Sequence, residues 1–140
     1  MLYLDASLLV AAFTKEAQSD RMRLLLNAQA PDTLFLSDWV TTEFCSALSV
    51  KIRTNQISAA NRTAALEVYA LIESSVVGKL PVLREHFQHA ARLANQSELG
   101  LRAGDALHLA IAAAHDAELC TLDKRLASVG AICGVATRLV

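Results

Sequence analysis

The 140-residue chain has few aromatics, 5% of its residues, and few of the residues that punctuate structure, with 2 prolines and 5 glycines. Scarce aromatics leave alanine and leucine to build the core, which favours packed helices. With Pro31 and Pro81 the only prolines, no stretch has the composition of a linker or a low-complexity tail, and no internal repeat is visible. The 3 cysteines, Cys45, Cys120 and Cys133, contain no CxxC pair. Neither a disulfide framework nor a thiolate metal site follows from an odd, scattered set. Each cysteine has apolar neighbours, so buried free thiols in a reducing cytosol are expected. No apolar run reaches the roughly 18 residues of a membrane span. Residues 1–13 carry no basic head before their apolar stretch, and Asp5 interrupts it, so no signal peptide is expected and the predicted location is cytoplasmic. A charge excess is missing too. The formal net charge of −1 removes the easy argument for a nucleic-acid surface without forbidding such a partner. Nine of the 13 basic residues are arginine, but they are scattered along the chain. A glycine-rich phosphate loop, GxSxG and HExxH are all absent.

What remains is a hydrophobic fraction of 54% in a length that suits one domain, residues 1–140, with a sizeable core. "LYL" at 2–4, "TLFLS" at 33–37, a stretch near 80–83 and "ELCTL" at 118–122 read as strands, with "GVATRLV" a possible fifth. Helices are expected over 6–13, about 16–30, 38–54 behind a Ser37 or Asp38 cap, 58–75, 85–97 and 104–116, with a short one after the fourth strand. The alternation predicts an α/β fold of three layers, α/β/α, around a central parallel sheet of four to five strands. In such sheets ligands sit beyond the carboxyl ends of the strands.

Acids collect at that edge. "LYLD" ends in Asp5, and "CTLD" ends in Asp123. "LRAGDALHLAIAAAH" puts Asp105 at the head of a helix that is apolar almost all round. Glu43, within two turns of the start of the helix after strand two, has Trp39, Val40, Ser46 and Ala47 at i±3 and i±4, and so has no local cation. The plain alternative for each Asp is a helix N-cap, worth about 1 kcal/mol, and for Glu43 a lone surface carboxylate. Energetics separate the readings. Two carboxylates about 5 Å apart repel by about 3 kcal/mol at an effective dielectric near 20, so capping cannot hold four of them together. If the four converge, a hard cation, Mg2+ or Mn2+, belongs among them, and such ions serve phosphodiester cleavage.

These stretches resemble the PIN-domain ribonucleases, and among them the VapC-like toxins of bacterial toxin–antitoxin pairs. "LYLDASLLV" resembles the opening strand with its acid Asp5, "TTEFCSAL" the helix bearing Glu43, "LRAGDALHLAIA" the most recognisable segment with Asp105, and "LCTLDKRLA" the strand-end acid Asp123. The resemblance implies an acidic pocket holding Mg2+ or Mn2+ and endonucleolytic cleavage of RNA to a 5′-phosphate and a 3′-hydroxyl. It also implies a homodimer and a small antitoxin that restrains the enzyme. Ser7 and Thr121 occupy the places where the family often carries hydroxyls. In that reading Asp5 and Asp105 are the primary metal ligands, and Glu43 and Asp123 complete the pocket directly or through ordered water. Arg102, Lys124 and Arg125 could hold flanking phosphates of a single-stranded substrate.

Two rival readings keep their place. A small Mg2+-dependent phosphatase would normally carry a second acid two residues after the first, where this chain has Ser7. A non-catalytic α/β interaction module would use the acids as caps only. His86 and His89, three apart on one helix, read as surface or interface histidines. His108, three residues after Asp105, reads as a packed, hydrogen-bonded histidine, with substrate contact the alternative.

Overall fold

The computed structural model describes residues 1–75 and 78–140. Its centre is a wholly parallel sheet of five strands, β1 (Leu2–Leu4), β2 (Leu34–Ser37), β3 (Gly78–Leu80), β4 (Glu118–Thr121) and β5 (Thr137–Leu139), in the order β3-β2-β1-β4-β5. Helices α1 (Ala6–Phe13), α2 (Ser19–Asn27), α3 (Asp38–Arg53) and α4 (Ala59–Ser75) connect β1 to β2 and β2 to β3. Helices α5 (Arg84–Ala94) and α6 (Ala103–Ala114) lead back to β4, and α7 (Lys124–Ile132) joins β4 to β5. This is the expected three-layer α/β/α arrangement.

The middles of the central strands are apolar, LYL in β1, LFL in β2 and LC in β4, because both faces of a parallel sheet are covered. All three residues of β1 are buried, and Tyr3 pairs with Phe35 of β2 on one side and Leu119 of β4 on the other. From β1 the chain steps outward to β2 and β3, then returns past β1 to β4 and β5. Right-handed crossovers therefore put α1–α4 on one face and α5–α7 on the other. The packing of α1 on α2, α3 and α4, and of α5 on α6, agrees. The change of direction creates a switch point between the carboxyl ends of β1 and β4, where a ligand crevice is expected in an open α/β sheet.

Three of the scarce aromatics are pooled under α1, α3 and α4. Phe44, fully buried, stacks on Tyr69 with ring centroids 4.5 Å apart and meets Phe13 edge-on at 6.1 Å. Elsewhere aliphatic side chains dominate the core, as the composition implied.

Several boundaries differ from the sequence expectation. Helix α2 starts at Ser19, not near 16, because the Ser19 hydroxyl donates to the Thr14 carbonyl and accepts from the Glu16 amide, closing a turn first. Strand β3 is Gly78–Leu80, earlier than the expected 80–83. Pro81 follows it, since an amide without a hydrogen cannot serve the ladder with β2. Of the cysteines only Cys120 is fully buried. Burial pushes its thiol up to about 11, keeping it protonated and inert, whereas Cys45 is exposed on α3, contrary to expectation. Among the described residues, no helix is long and apolar enough to cross a membrane.

Candidate active site

Strand β1 delivers Asp5 to the switch point, and the fold buries it to 7% exposure. Its Oδ1 accepts from the Ser7 amide at 3.4 Å, capping α1. Its Oδ2 accepts from the hydroxyls of Ser7 and Thr121, each at 2.6 Å. Thr121 is the last residue of β4, so one carboxylate clips the ends of two adjacent central strands. The same hydroxyl oxygens accept in turn: Ser7 Oγ from the Leu122 amide at 3.2 Å, and Thr121 Oγ1 from the Asp123 amide at 3.0 Å. Both hydroxyls singled out in the sequence thus lie on Asp5.

Helix α3 begins at its Ser37 cap and carries Glu43 to the same edge. The Glu43 Oε2 lies 2.5 Å from His108 Nε2, which is itself 3.6 Å from Asp5 Oδ1. One ligand atom each from Asp5, Glu43 and His108 fall within 4.8 Å of one another. His108 is buried, as a packed histidine should be, yet it also faces the acids. Sequence alone could place it only on the Asp105 side of its helix; its partners come from β1 and α3.

Asp105 is not the N-cap of α6. The helix starts two residues earlier, with Arg102 in the capping position, so Asp105 is the third helical residue. Burial raises its carboxyl above the ordinary value. A hydrogen bond from the Arg102 backbone pulls it back, Asp123 pushes it up, His108 lowers it and Asp5 raises it, in that order of size. Asp105 therefore shares one electrostatic field with Asp5, Asp123 and His108, although it lies outside the tight group of three. Asp123 is exposed and performs the plain role as well: its Oδ1 caps α7 by accepting from the amides of Arg125 at 2.7 Å and Leu126 at 3.0 Å. Leu122 stands between it and β4, so it is the second residue past the strand rather than the first.

Among the described residues, no lysine or arginine forms an ion pair with Asp5, Glu43, Asp105 or Asp123. The three cations noted in the sequence, Arg102, Lys124 and Arg125, are exposed and form no ion pairs with the described residues. Arg125 lies over Gly100, whose φ of +56° disfavours any side chain there. A gathering of carboxylates whose one basic neighbour is a histidine is compatible with a cation site.

The profile of the PIN domain family matches residues 2–132. This chain belongs to the PIN domain family. No curated protein matches its sequence. Among solved structures, it is similar to Mycobacterium tuberculosis VapC20, described as a sarcin-ricin loop cleaving toxin, with a TM-score of 0.74 and 18% identity over 93% of this chain and 95% of that one. It is similar to FitAcB from Neisseria gonorrhoeae, with a TM-score of 0.72 and 14% identity over 98% and 96% of the two chains. It also resembles VapBC2 from Rickettsia felis, bound to a DNA fragment of its promoter, at 0.66 and 19% over 99% and 98%. Identities this low carry the fold alone.

In this PIN domain Glu43 opens onto a cleft of about 490 Å3 between α1 and α3, also lined by Ser7, Val10 and Leu122. An ion pair of Glu16 and Lys51, 2.8 Å apart, stands beside it. The remaining histidines lie elsewhere. His86 is buried, not a surface residue: its Nδ1 accepts from the Leu83 amide at 3.1 Å at the start of α5, and its ring meets His115 edge-on at 5.5 Å.

Proposed function

We propose that the chain, acting as one domain over residues 1–140, is a divalent-metal-dependent endoribonuclease and the toxin of a toxin–antitoxin pair. The observation that carries this reading is the convergence of Asp5, Glu43 and His108 at the switch point of a PIN domain, with Asp105 in the same field and, among the described residues, no lysine or arginine paired with the acids. The donor set fits a hard ion, Mg2+ or Mn2+. Asp5 and Asp105 would be its primary protein ligands, with Glu43 and Asp123 completing the pocket directly or through water. Bound there, the ion supplies Lewis-acid charge to a scissile phosphate and to the departing oxygen. The chain does the rest. Ser7 and Thr121 hold the Asp5 carboxylate in one rotamer, and the exposed Arg102, Lys124 and Arg125 offer phosphate contacts on either side of the cut. The cleft between α1 and α3 suits a single strand better than a rigid duplex.

The partners follow from the same reading: RNA as substrate, a second copy in a homodimer, and a cognate antitoxin in the cytosol. VapBC2 and FitAcB, whose folds this chain shares, support the antitoxin. Asp5 and Asp123 do cap helices, as an interaction module would require. Capping leaves Glu43, His108 and the raised carboxyl of Asp105 without a purpose. A phosphatase is disfavoured because Ser7 spends its hydroxyl on Asp5.

The test is cleavage of an end-labelled single-stranded RNA by the purified protein with Mg2+, with Mn2+ and with EDTA. Metal-dependent cuts bearing 5′-phosphates are expected. No cleavage, together with no metal-linked rise in Tm, would leave the interaction module standing.

Gly104 gives a finer test. A Cβ there would sit 2.7 Å from Glu43 Oε1. Gly104→Ala should preserve or raise stability, by up to about 1 kcal/mol for a helical glycine. The displaced carboxylate should meanwhile slow cleavage by about 10-fold or more. Thermal melts and initial rates on the same preparation read both.

A further inference from the structure

Four polar groups join the cap of α3 to the pocket. The Val40 amide is 3.4 Å from Ser37 Oγ, Ser37 Oγ is 2.7 Å from the Tyr3 hydroxyl, and that hydroxyl is 3.0 Å from His108 Nδ1. His108 Nε2 then meets Glu43 Oε2. Ser37, Tyr3 and His108 are each at most 1% exposed, so the links among them run through dry protein, and only the last ends on a half-buried group, Glu43. With His108 as a neutral imidazole, the ends of the chain fix its direction. A backbone amide only donates, and an ionised carboxylate only accepts. Ser37 therefore accepts from Val40 and donates to Tyr3, Tyr3 donates to Nδ1, and His108 donates from Nε2 to Glu43. Burial raises the Tyr3 phenol well above its ordinary range, which keeps its proton in place for this role. Run the other way, a bare Nε2 would face the carboxylate lone pairs. Ser37 Oγ would also need a further acceptor, which none of the described residues supplies.

We infer that His108 is a positioning residue of the nuclease site: through this one-way chain it donates from Nε2 to Glu43 and fixes that carboxylate beside Asp5, rather than serving as a metal ligand itself. Gly104 completes the cradle from the other side, its missing Cβ making room for Glu43 Oε1. Glu43 is thus held at both oxygens, by a donor on one and by shape on the other. The assignment rests on the nuclease reading for its purpose, but the hydrogen-bond direction does not.

Two measurements test it. Long-range proton–nitrogen NMR of the metal-free, 15N-labelled protein should show His108 protonated at Nε2; a proton on Nδ1 overturns the chain whatever the protein does. Mn2+ affinity, read by electron paramagnetic resonance without RNA, should fall about 10- to 100-fold in His108→Leu, the usual range for the loss of a group that orients a ligand. His108→Gln, whose amide can still donate near the Nε2 position, should recover most of that affinity. Tyr3→Phe, which keeps the packing but removes the donor to Nδ1, should fall between. If His108→Leu does not fold, the Gln and Phe variants carry the comparison. Mn2+ binding within two-fold of wild type in every folded variant overturns the assignment. So does equal damage in Gln and Leu, which would make His108 a ligand. A wild type that cuts RNA beside such variants sinks this inference alone, while a wild type that neither binds Mn2+ nor cuts RNA sinks the nuclease reading with it.

Discussion

Asp105→Asn is expected to melt no lower than wild type in EDTA and to cleave RNA about 100- to 1,000-fold more slowly in Mg2+, a loss of several kcal/mol of transition-state stabilisation. The two effects have one origin. The folded protein raises the Asp105 carboxyl because burial and the charges of Asp123 and Asp5 disfavour ionisation. A carboxyl whose folded-state pKa lies above its unfolded value binds its proton more tightly in the native state, so ionising it destabilises the fold. That penalty is absent below the ordinary value of 3.8, grows as pH rises through the folded value, and is complete at neutral pH. Asparagine carries no charge to penalise. In EDTA, the Tm of wild type should therefore fall relative to that of Asp105→Asn as pH is raised from about 3.8 toward neutrality.

Metal reverses the ranking. At a free Mg2+ concentration 100 times its Kd, wild type gains about 2.7 kcal/mol, or roughly 5 to 11 °C of Tm for a domain of this size. The variant should gain much less. Differential scanning fluorimetry at several pH values, with and without Mg2+, reads the whole pattern. A variant that melts below wild type in EDTA would mean that Asp105 serves the fold, and one that cleaves at the wild-type rate would remove it from the chemistry.

The layer order and the edge where the acids gather were legible because both follow from local pattern. Short apolar strands alternating with helices admit few topologies, and a carboxylate just past a buried strand must sit at the sheet edge. What local pattern could not reveal was partnership between elements. Glu43 has no helical neighbour of opposite charge, and its real partner, His108, is 65 residues away on another helix. Tyr3 reads as a core aromatic until its hydroxyl is seen between Ser37 and His108. The start of α6 came within one residue, but the cap did not: Asp105 after Gly104 reads naturally as a cap, whereas Arg102 in extended conformation takes that position without any side-chain bond. Strand β3 slid because an edge strand of three residues carries little pattern. Asp123 was legible as a helix cap, and the cap is what the fold shows, with its charge felt at Asp105.

Asp5→Ala should abolish cleavage and, unlike Asp105→Asn, should also unfold the protein more easily. Asp5 is the best-satisfied acid of the site: its carboxylate takes an amide and two hydroxyls, and one of those hydroxyls belongs to the neighbouring strand. Alanine forfeits the cap of α1, about 1 kcal/mol. It also leaves the fully buried Thr121 hydroxyl without its acceptor, a further 1–3 kcal/mol or so. The expected total is about 3 kcal/mol, or roughly 6 to 12 °C of Tm, measurable by urea unfolding at pH 7 in EDTA. Asp5→Asn separates structure from chemistry. Its one amide oxygen can take either the Oδ1 place that caps α1 or the Oδ2 place that accepts from the hydroxyls, not both, so part of the stability should return, while a neutral amide cannot replace a charged oxygen on a divalent ion and cleavage should stay lost. Asp5→Ala with wild-type stability would show that the strands are clipped by something other than this carboxylate. Cleavage restored in Asp5→Asn would show that its charge is not needed. The opposite signs expected for the two aspartates follow from their surroundings: Asp5 is a charge that β1, α1 and β4 are built to receive, and Asp105 is one that the metal-free fold only tolerates.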